Sequence, residues 1–263
     1  MTTASELPDG TPGVVPDWTP GDARDGMPGD APEEAHGHQH KDVSGGWLRP
    51  AVFGAMDGLV TNASLIAGVR GGGGSPRALI LTGLAGLAAG AFSMATGEFV
   101  SVSSQNELVD SEVSKERLEL ANHPDAERRE LAAMFVQRGV DADLADQVAR
   151  QVSAHPEQAL RLHVREELGV DPQELPSPVT AAAASLLTFA VGALIPLLPY
   201  LAGFGSLRAA LIFAAIAAFA GGGLVSRITS RPLLRGAVRQ LVLAAVATGL
   251  TYGIGTLVGA AVS

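Results

Sequence analysis

Five blocks of apolar residues, each about 20 residues long, constrain this chain more than any other feature. A helix of about 20 apolar residues crosses the hydrocarbon core of a bilayer, and in lipid a helix satisfies its own backbone hydrogen bonds. The blocks fall at residues 47–69, 78–100, 179–201, 207–225 and 236–262. We therefore predict an all-α membrane protein with five transmembrane helices in contact with a lipid bilayer.

Two polar segments complete the chain. Residues 1–46 mix Pro, Gly, Asp and Glu without apolar periodicity, which predicts a disordered acidic tail. Its histidines in the sequence HGHQH either bind a metal loosely or are incidental. Residues 101–175 keep a helical pattern among charged residues. We expect the second span to continue into water and three short helices to follow, with Asp125 and Asp141 as helix caps.

The predicted organisation is therefore an acidic tail (1–46), spans one and two (47–100), an inserted helical metal-binding domain (101–175) and spans three to five (176–263). The chain has 27 acidic and 18 basic residues, a formal net charge of −9. Acidic soluble parts argue against nucleic acid as a partner and suit cations. Because there are no cysteines, the available metal ligands are carboxylate, imidazole and thioether groups.

Basic residues near the span ends predict the orientation. Arg49 and the arginines of residues 227–239 share one side with the inserted domain, whereas Arg70, Arg77 and Arg208 fall on the other. Positive charge is enriched on the cytoplasmic side of membrane proteins. We therefore expect the N-terminus and the inserted domain in the cytoplasm.

Two carboxylates lie within the apolar blocks, where each costs about 2.5–3.5 kcal/mol on insertion scales. Asp57 is in the first block, and Glu98 ends the second. Met94 precedes Glu98 by four residues, so both side chains project from one helix face. These three residues form the candidate transport path for an ion. Gly54 and Gly58 form a GxxxG pair, for which we expect close approach of another helix, including that of a second copy.

A second set of carboxylates lies in the inserted segment. Glu116 and Glu119 are spaced three residues apart before a His-Pro turn, and Glu127 and Glu130 repeat this spacing after it. His163 and Glu167 lie one helical turn apart further on. Together they form a candidate site rich in oxygen with one nitrogen, which suits Mn2+, Fe2+ and Zn2+. The alternative is a solvated acidic surface.

Three stretches together resemble the vacuolar iron transporter family: DGLVTNASLIAGV (57–69), GAFSMATGEFVSVSSQNEL (90–108) and EELG (166–169). The resemblance implies a homodimer with a transport path on its two-fold axis, which exports Fe2+, and often Mn2+, from the cytoplasm in exchange for protons. It places Asp57 and Met94 in the path. The resemblance also implies a set of cytoplasmic metal ligands, namely Glu116, Glu119, Glu127, Glu130 and Glu167.

One departure from the family pattern concerns His163-Val164, which replaces a pair of methionines. An imidazole favours borderline metals, so Zn2+ and Co2+ are alternatives to Fe2+ and Mn2+. The expected function is metal export by a protein of a bacterial plasma membrane; the alternative is a membrane-anchored metal buffer or sensor. An enzyme is not expected, because the inserted segment contains neither HExxH nor Glu-x-x-His.

Overall fold

The structure, a computed structural model, describes residues 46–262, and over that range it is helical with no strand. The predicted tail and its three histidines lie outside the described residues, apart from Gly46. The helices are α1 (Leu48–Gly71), α2 (Pro76–Asn122), α3 (Pro124–Gln137), α4 (Ala142–Ser153), α5 (Pro156–Leu168), α6 (Pro178–Leu201), α7 (Leu207–Ile228) and α8 (Leu233–Val262).

Five of these helices are long and apolar enough to cross a membrane: α1, α2, α6, α7 and α8. This confirms the predicted number of candidate spans. α2 has 47 residues, a length of about 70 Å at 1.5 Å per residue, so it extends well beyond a bilayer core as expected. α7 and α8 run past the predicted limits of their apolar blocks, because the arginines there are good helix formers.

The three short helices α3, α4 and α5 lie between α2 and α6 in the chain. The Asp141 carboxylate accepts hydrogen bonds from the backbone N–H groups of Asp143 and Leu144, as predicted for a cap. The predicted cap at Asp125 is wrong. His123 takes the cap position, and α3 begins at Pro124 with Asp125 in its first turn, because proline suits the first helical position, where its missing N–H costs nothing.

Close backbone contacts hold the spans together. A Cβ added to Gly58 would lie 2.2 Å from the Phe189 carbonyl oxygen, and one added to Gly192 would lie 2.1 Å from the Ala55 carbonyl oxygen. The GxxxG pair of α1 therefore packs against α6 of the same chain. The expectation that this pair also serves contact with a second copy is wrong, because α6 already covers both glycines.

The pattern of these contacts gives the directions of the helices. Gly58 of α1 and Gly90 of α2 both face Phe189 of α6, whereas Gly68 of α1 faces Gly255 of α8. α1, α6 and α8 start at the same end of the bundle. α2 ends there, and the Asn106 side chain donates a hydrogen bond to the carbonyl of Pro176 just before α6. Helices α3–α5 and the α7–α8 turn therefore share that end.

Candidate metal centre and transport path

Three helices bring the candidate metal ligands of the inserted segment together. α2 contributes Glu116 near its C-terminal end, α3 contributes Glu127 from its first turn, and α5 contributes His163 and Glu167 from one face. The His123-Pro124 turn reverses the chain between α2 and α3, because proline cannot continue the preceding helix. Residues far apart in sequence thus meet at one place.

His163 is the centre of this cluster. Its Nδ1 atom lies 3.2 Å from Glu116 Oε1, 3.5 Å from Glu167 Oε1 and 3.8 Å from Glu127 Oε2. The imidazole is completely buried, and Glu116 and Glu127 are buried as well. Within the described residues, neither ring nitrogen has a hydrogen-bond partner, nor does Glu116 Oε1. Buried polar atoms normally have partners, so this arrangement suits a bound cation.

The carboxylates repel one another. Burial, followed by the charges of Glu167, Glu127, Glu119 and Glu130, raises the pKa of Glu116 to about 7 from an ordinary 4.5. Burial, followed by the charge of Glu130, raises the pKa of Glu127. His163 partly offsets this increase, because its charge lowers the pKa of Glu127. Without a cation, one buried carboxyl group therefore holds a proton near neutral pH.

The basic residues around the cluster do not neutralise it. Arg117 pairs with Glu157 at 2.9 Å, and Arg128 pairs with Asp146 at 2.9 Å. Arg138 pairs with Glu166, and Arg161 with Asp171. All of these acids lie outside the cluster. This distribution argues against an ordinary solvated surface, on which acids and bases would pair freely.

Two of the predicted ligands take more peripheral positions. Glu119 is exposed, but its carboxylate can approach those of Glu116 and Glu127 within 4.8 Å. Glu130 is also exposed and joins neither close group of candidate ligands in the described part of the chain. It acts on the cluster through its charge alone.

Glu112 is a further acidic residue at this site that was not predicted from the sequence. A cavity of about 130 Å³ beside the cluster is lined by Glu112 and Lys115 together with Glu116, Glu119 and Glu167. Glu112 precedes Glu116 by one turn of α2, and this spacing was the signal that could have identified it. Its carboxylate accepts a hydrogen bond from Lys115 at 2.6 Å, so the rim of the cavity is locally neutral.

The residues of the candidate transport path lie in two helices. Asp57 of α1 is half-buried, and its carboxylate accepts a hydrogen bond from Thr61 at 3.4 Å. Met94 of α2 packs against the cluster of Ala91, Phe189 and Ala193. Glu98 is half-buried one turn further along α2. Across residues 46–262, no hydrogen bond or ion pair joins any two of Asp57, Met94 and Glu98.

Comparisons with known proteins agree with this architecture. Residues 48–256 match the family model described as the VIT family. A vacuolar iron transporter of Acanthamoeba castellanii is 37% identical over 235 residues, which cover 84% of this chain and 83% of that protein. Vacuolar iron transporter homolog 1 of Oryza sativa subsp. japonica is 38% identical over 218 residues, covering 81% and 74% of the two chains.

A further relative has a lower identity but a more complete alignment. Vacuolar iron transporter 1 of Oryza sativa subsp. japonica is 30% identical over 236 residues, which cover 84% of this chain and 90% of that protein. The family model matches the chain from the start of α1 almost to the end of α8, and therefore includes both the spans and the carboxylate cluster. The chain belongs to the VIT family.

Proposed function

We propose that this protein exports Fe2+, with Mn2+ as a second substrate, from the cytoplasm in exchange for protons. The observation that carries the proposal is that one helix, α2, connects the carboxylate cluster with the candidate transport path. This one helix bears Met94 and Glu98 within its apolar part and Glu116 near its other end. Relatives named as iron transporters support iron as the substrate, and none of those compared above is named as an enzyme.

The first step is the loading of the cluster. A divalent cation that enters beside His163 would neutralise the charges of Glu116, Glu127 and Glu167 and would coordinate the ring nitrogen. Carboxylate oxygens suit Mn2+ and Fe2+, and an imidazole nitrogen also suits Zn2+ and Co2+. This donor set supports a site for divalent cations from the first transition series.

The second step is delivery to the membrane. Glu98 and Glu116 are separated by 18 residues of continuous helix, which corresponds to about 27 Å. A cation released from the cluster would meet Glu98 first, and then Met94 and Asp57 deeper in the spans. In a homodimer with its path on the two-fold axis, two copies of each residue would face one another. In the proposed exchange, a proton that enters from the opposite side would replace the metal ion at Asp57, which would couple release of the metal to proton entry.

The experiment uses purified protein reconstituted into proteoliposomes that contain a metal-sensitive dye. With protein inserted so that the α3–α5 end faces outwards, an acid-inside gradient should drive uptake of Fe2+. Asp57→Ala should abolish uptake, whereas Asp110→Ala should not, because Asp110 is an exposed carboxylate of α2 outside both sites. Transport that is independent of the gradient would contradict the proton exchange.

The same preparation separates a transporter from a membrane-anchored metal buffer. Asp57→Ala should still bind metal at the α2–α3–α5 cluster, since Asp57 lies outside it. Wild-type protein that binds Fe2+ but moves none of it across the membrane would be a buffer, and the proposal would then be wrong.

A further inference from the structure

The geometry points to a binding site for the phosphate headgroup of an anionic phospholipid at the α7–α8 turn. A cavity of about 590 Å³ lies there, lined by Arg231, Arg235 and Arg239 together with the hydroxyl-bearing residues Ser226 and Thr229. We call it the arginine pocket. It lies outside the metal centre and the candidate transport path, and it goes beyond the proposed transport function.

The charges of the arginine pocket are not compensated. Arg231, Arg235 and Arg239 are exposed, and none of the acidic groups between residues 46 and 262 forms an ion pair with them. Arg235 and Arg239 lie four residues apart on neighbouring turns of α8, where like charges repel, and Arg231 lines the same cavity from the turn before α8. In the α2–α5 region, by contrast, five arginines form ion pairs with acids: Arg117, Arg128, Arg138, Arg150 and Arg161. An external anion would remove the repulsion.

The position of the arginine pocket favours a phospholipid headgroup over free phosphate. It lies where two candidate spans meet, at the end of α7 and the start of α8, and the ends of membrane-spanning helices lie near the lipid headgroups. Along α8, Val242 and Val246 continue the face of Arg235 and Arg239, and they are 52% and 55% exposed. Guanidinium groups followed by apolar side chains match a phosphate followed by acyl chains. A free phosphate would use only the first half of this surface.

The positive-inside rule alone does not account for these features. That rule requires basic residues near the span ends, but it requires neither a cavity between the helices nor a preference among headgroups. Basic pockets between transmembrane helices are typical binding sites for anionic headgroups, and the forked guanidinium is suited to bidentate contact with phosphate oxygens.

The test measures the thermal unfolding of the full-length protein in a neutral detergent. Short-chain phosphatidylglycerol should raise Tm by several degrees at concentrations well above its Kd. Phosphatidylcholine and inorganic phosphate at the same concentrations should leave Tm unchanged. An equal shift with phosphatidylcholine would overturn the proposal, as would an equal shift with inorganic phosphate, which would show an anion site with no role for the lipid.

Matched variants locate the effect. Arg235→Gln/Arg239→Gln should lose most of the shift produced by phosphatidylglycerol. Arg77→Gln/Arg208→Gln removes the same charge from exposed positions at the other end of the bundle and should retain the shift. Equal shifts in the two double variants would overturn the assignment.

Salt provides a second measurement if the first variant does not fold. Between about 0.1 M and about 1 M KCl the Debye length falls from about 10 Å to about 3 Å, so the shift in wild-type protein should decrease strongly. A shift that is unchanged by salt would show apolar binding of the lipid and would contradict a role for the arginines.

Discussion

Glu116 bears the largest electrostatic cost in the candidate metal centre, and this makes the stability of the metal-free protein depend on pH. Its pKa is about 7 in the folded protein against an ordinary 4.5. The folded state therefore binds a proton more tightly than the unfolded state. Its contribution to stability is complete below about pH 4.5, decreases as the pH rises, and is lost above about pH 7.

We predict that Glu116→Gln reduces this dependence and raises Tm of the metal-free protein at pH 8, because the variant buries one charge fewer among the carboxylates. Thermal unfolding at pH 5 and pH 8 measures the effect. Glu107→Gln is the control, since Glu107 is exposed on the same helix away from the cluster. If Glu116→Gln and wild type lose the same amount of stability between the two pH values, the cause assigned here is wrong.

His163 is predicted to determine which metals the cluster prefers. His163→Ala should weaken Zn2+ binding by about tenfold or more, since even residues that only orient a ligand change affinity by about 10–100-fold. Mn2+ binding should weaken less, because oxygen ligands suffice for Mn2+. Equilibrium dialysis with both metals gives the two affinities.

The control for His163→Ala is Leu160→Ala. Leu160 is 5% exposed on the same helix, so its truncation also leaves a cavity but removes no ligand. It should change the two affinities by the same factor. A similar loss of Zn2+ and Mn2+ binding in His163→Ala would mean that the imidazole acts only through packing.

At the scale of helices, the contact between α1 and α6 depends on glycines that allow backbone to meet backbone. We predict that Gly58→Ala destabilises the protein by about 1–3 kcal/mol or more, the usual range for overpacking, because the new methyl group would overlap the Phe189 carbonyl. Unfolding in detergent, followed by circular dichroism, measures the loss.

Gly97→Ala provides the comparison within α2. A Cβ at Gly97 would have no neighbour within 4 Å, so this variant should be as stable as wild type or slightly more stable through helix propensity. Equal stability of Gly58→Ala and Gly97→Ala would show that α1 and α6 can separate without cost.

Most of the helices could be predicted from the sequence because their signals are local. The apolar blocks, Ser177-Pro178 before α6 and Gly169 after α5 each act within a few residues, and Gly169 has the positive φ of 68° that suits a glycine. The GxxxG pair correctly predicted a close contact. It could not identify α6 as the partner, because any smooth helix surface satisfies the same pattern.

The carboxylate cluster of the candidate metal centre was only partly predictable, because its formation is not a local matter. Spacing of three or four residues places side chains on one face of one helix, which identified the pairs on α2, α3 and α5. Which members become buried depends on how these helices cross. That crossing buries Glu116 and Glu127 but leaves Glu119 and Glu130 exposed, and it brings Glu112 to the rim. The arginine pocket between α7 and α8 depends on helix crossing in the same way.

For the whole molecule, the central question is how one chain could conduct an ion. Asp57, Met94 and Glu98 lie on two helices without direct polar contact among themselves, and many apolar side chains of the spans are exposed, including Phe53, Leu81 and Phe92 at 64%, 70% and 68%. Lipid alone could cover these side chains. The half-buried Asp57 carboxylate has only Thr61 as a hydrogen-bond partner in the described region, which favours a shared path completed by a second copy.

A shared path predicts that one defective subunit inactivates its partner. When wild type and Asp57→Ala are mixed in equal amounts, unfolded, refolded together and reconstituted, about a quarter of the dimers are purely wild type. Fe2+ uptake should then fall to about a quarter, because mixed dimers would present only one of two Asp57 carboxylates to the ion. Subunits with independent paths would retain about half. Cross-linking of the same samples must show random mixing, and a linear decrease of uptake with the fraction of Asp57→Ala would exclude a path built from both subunits.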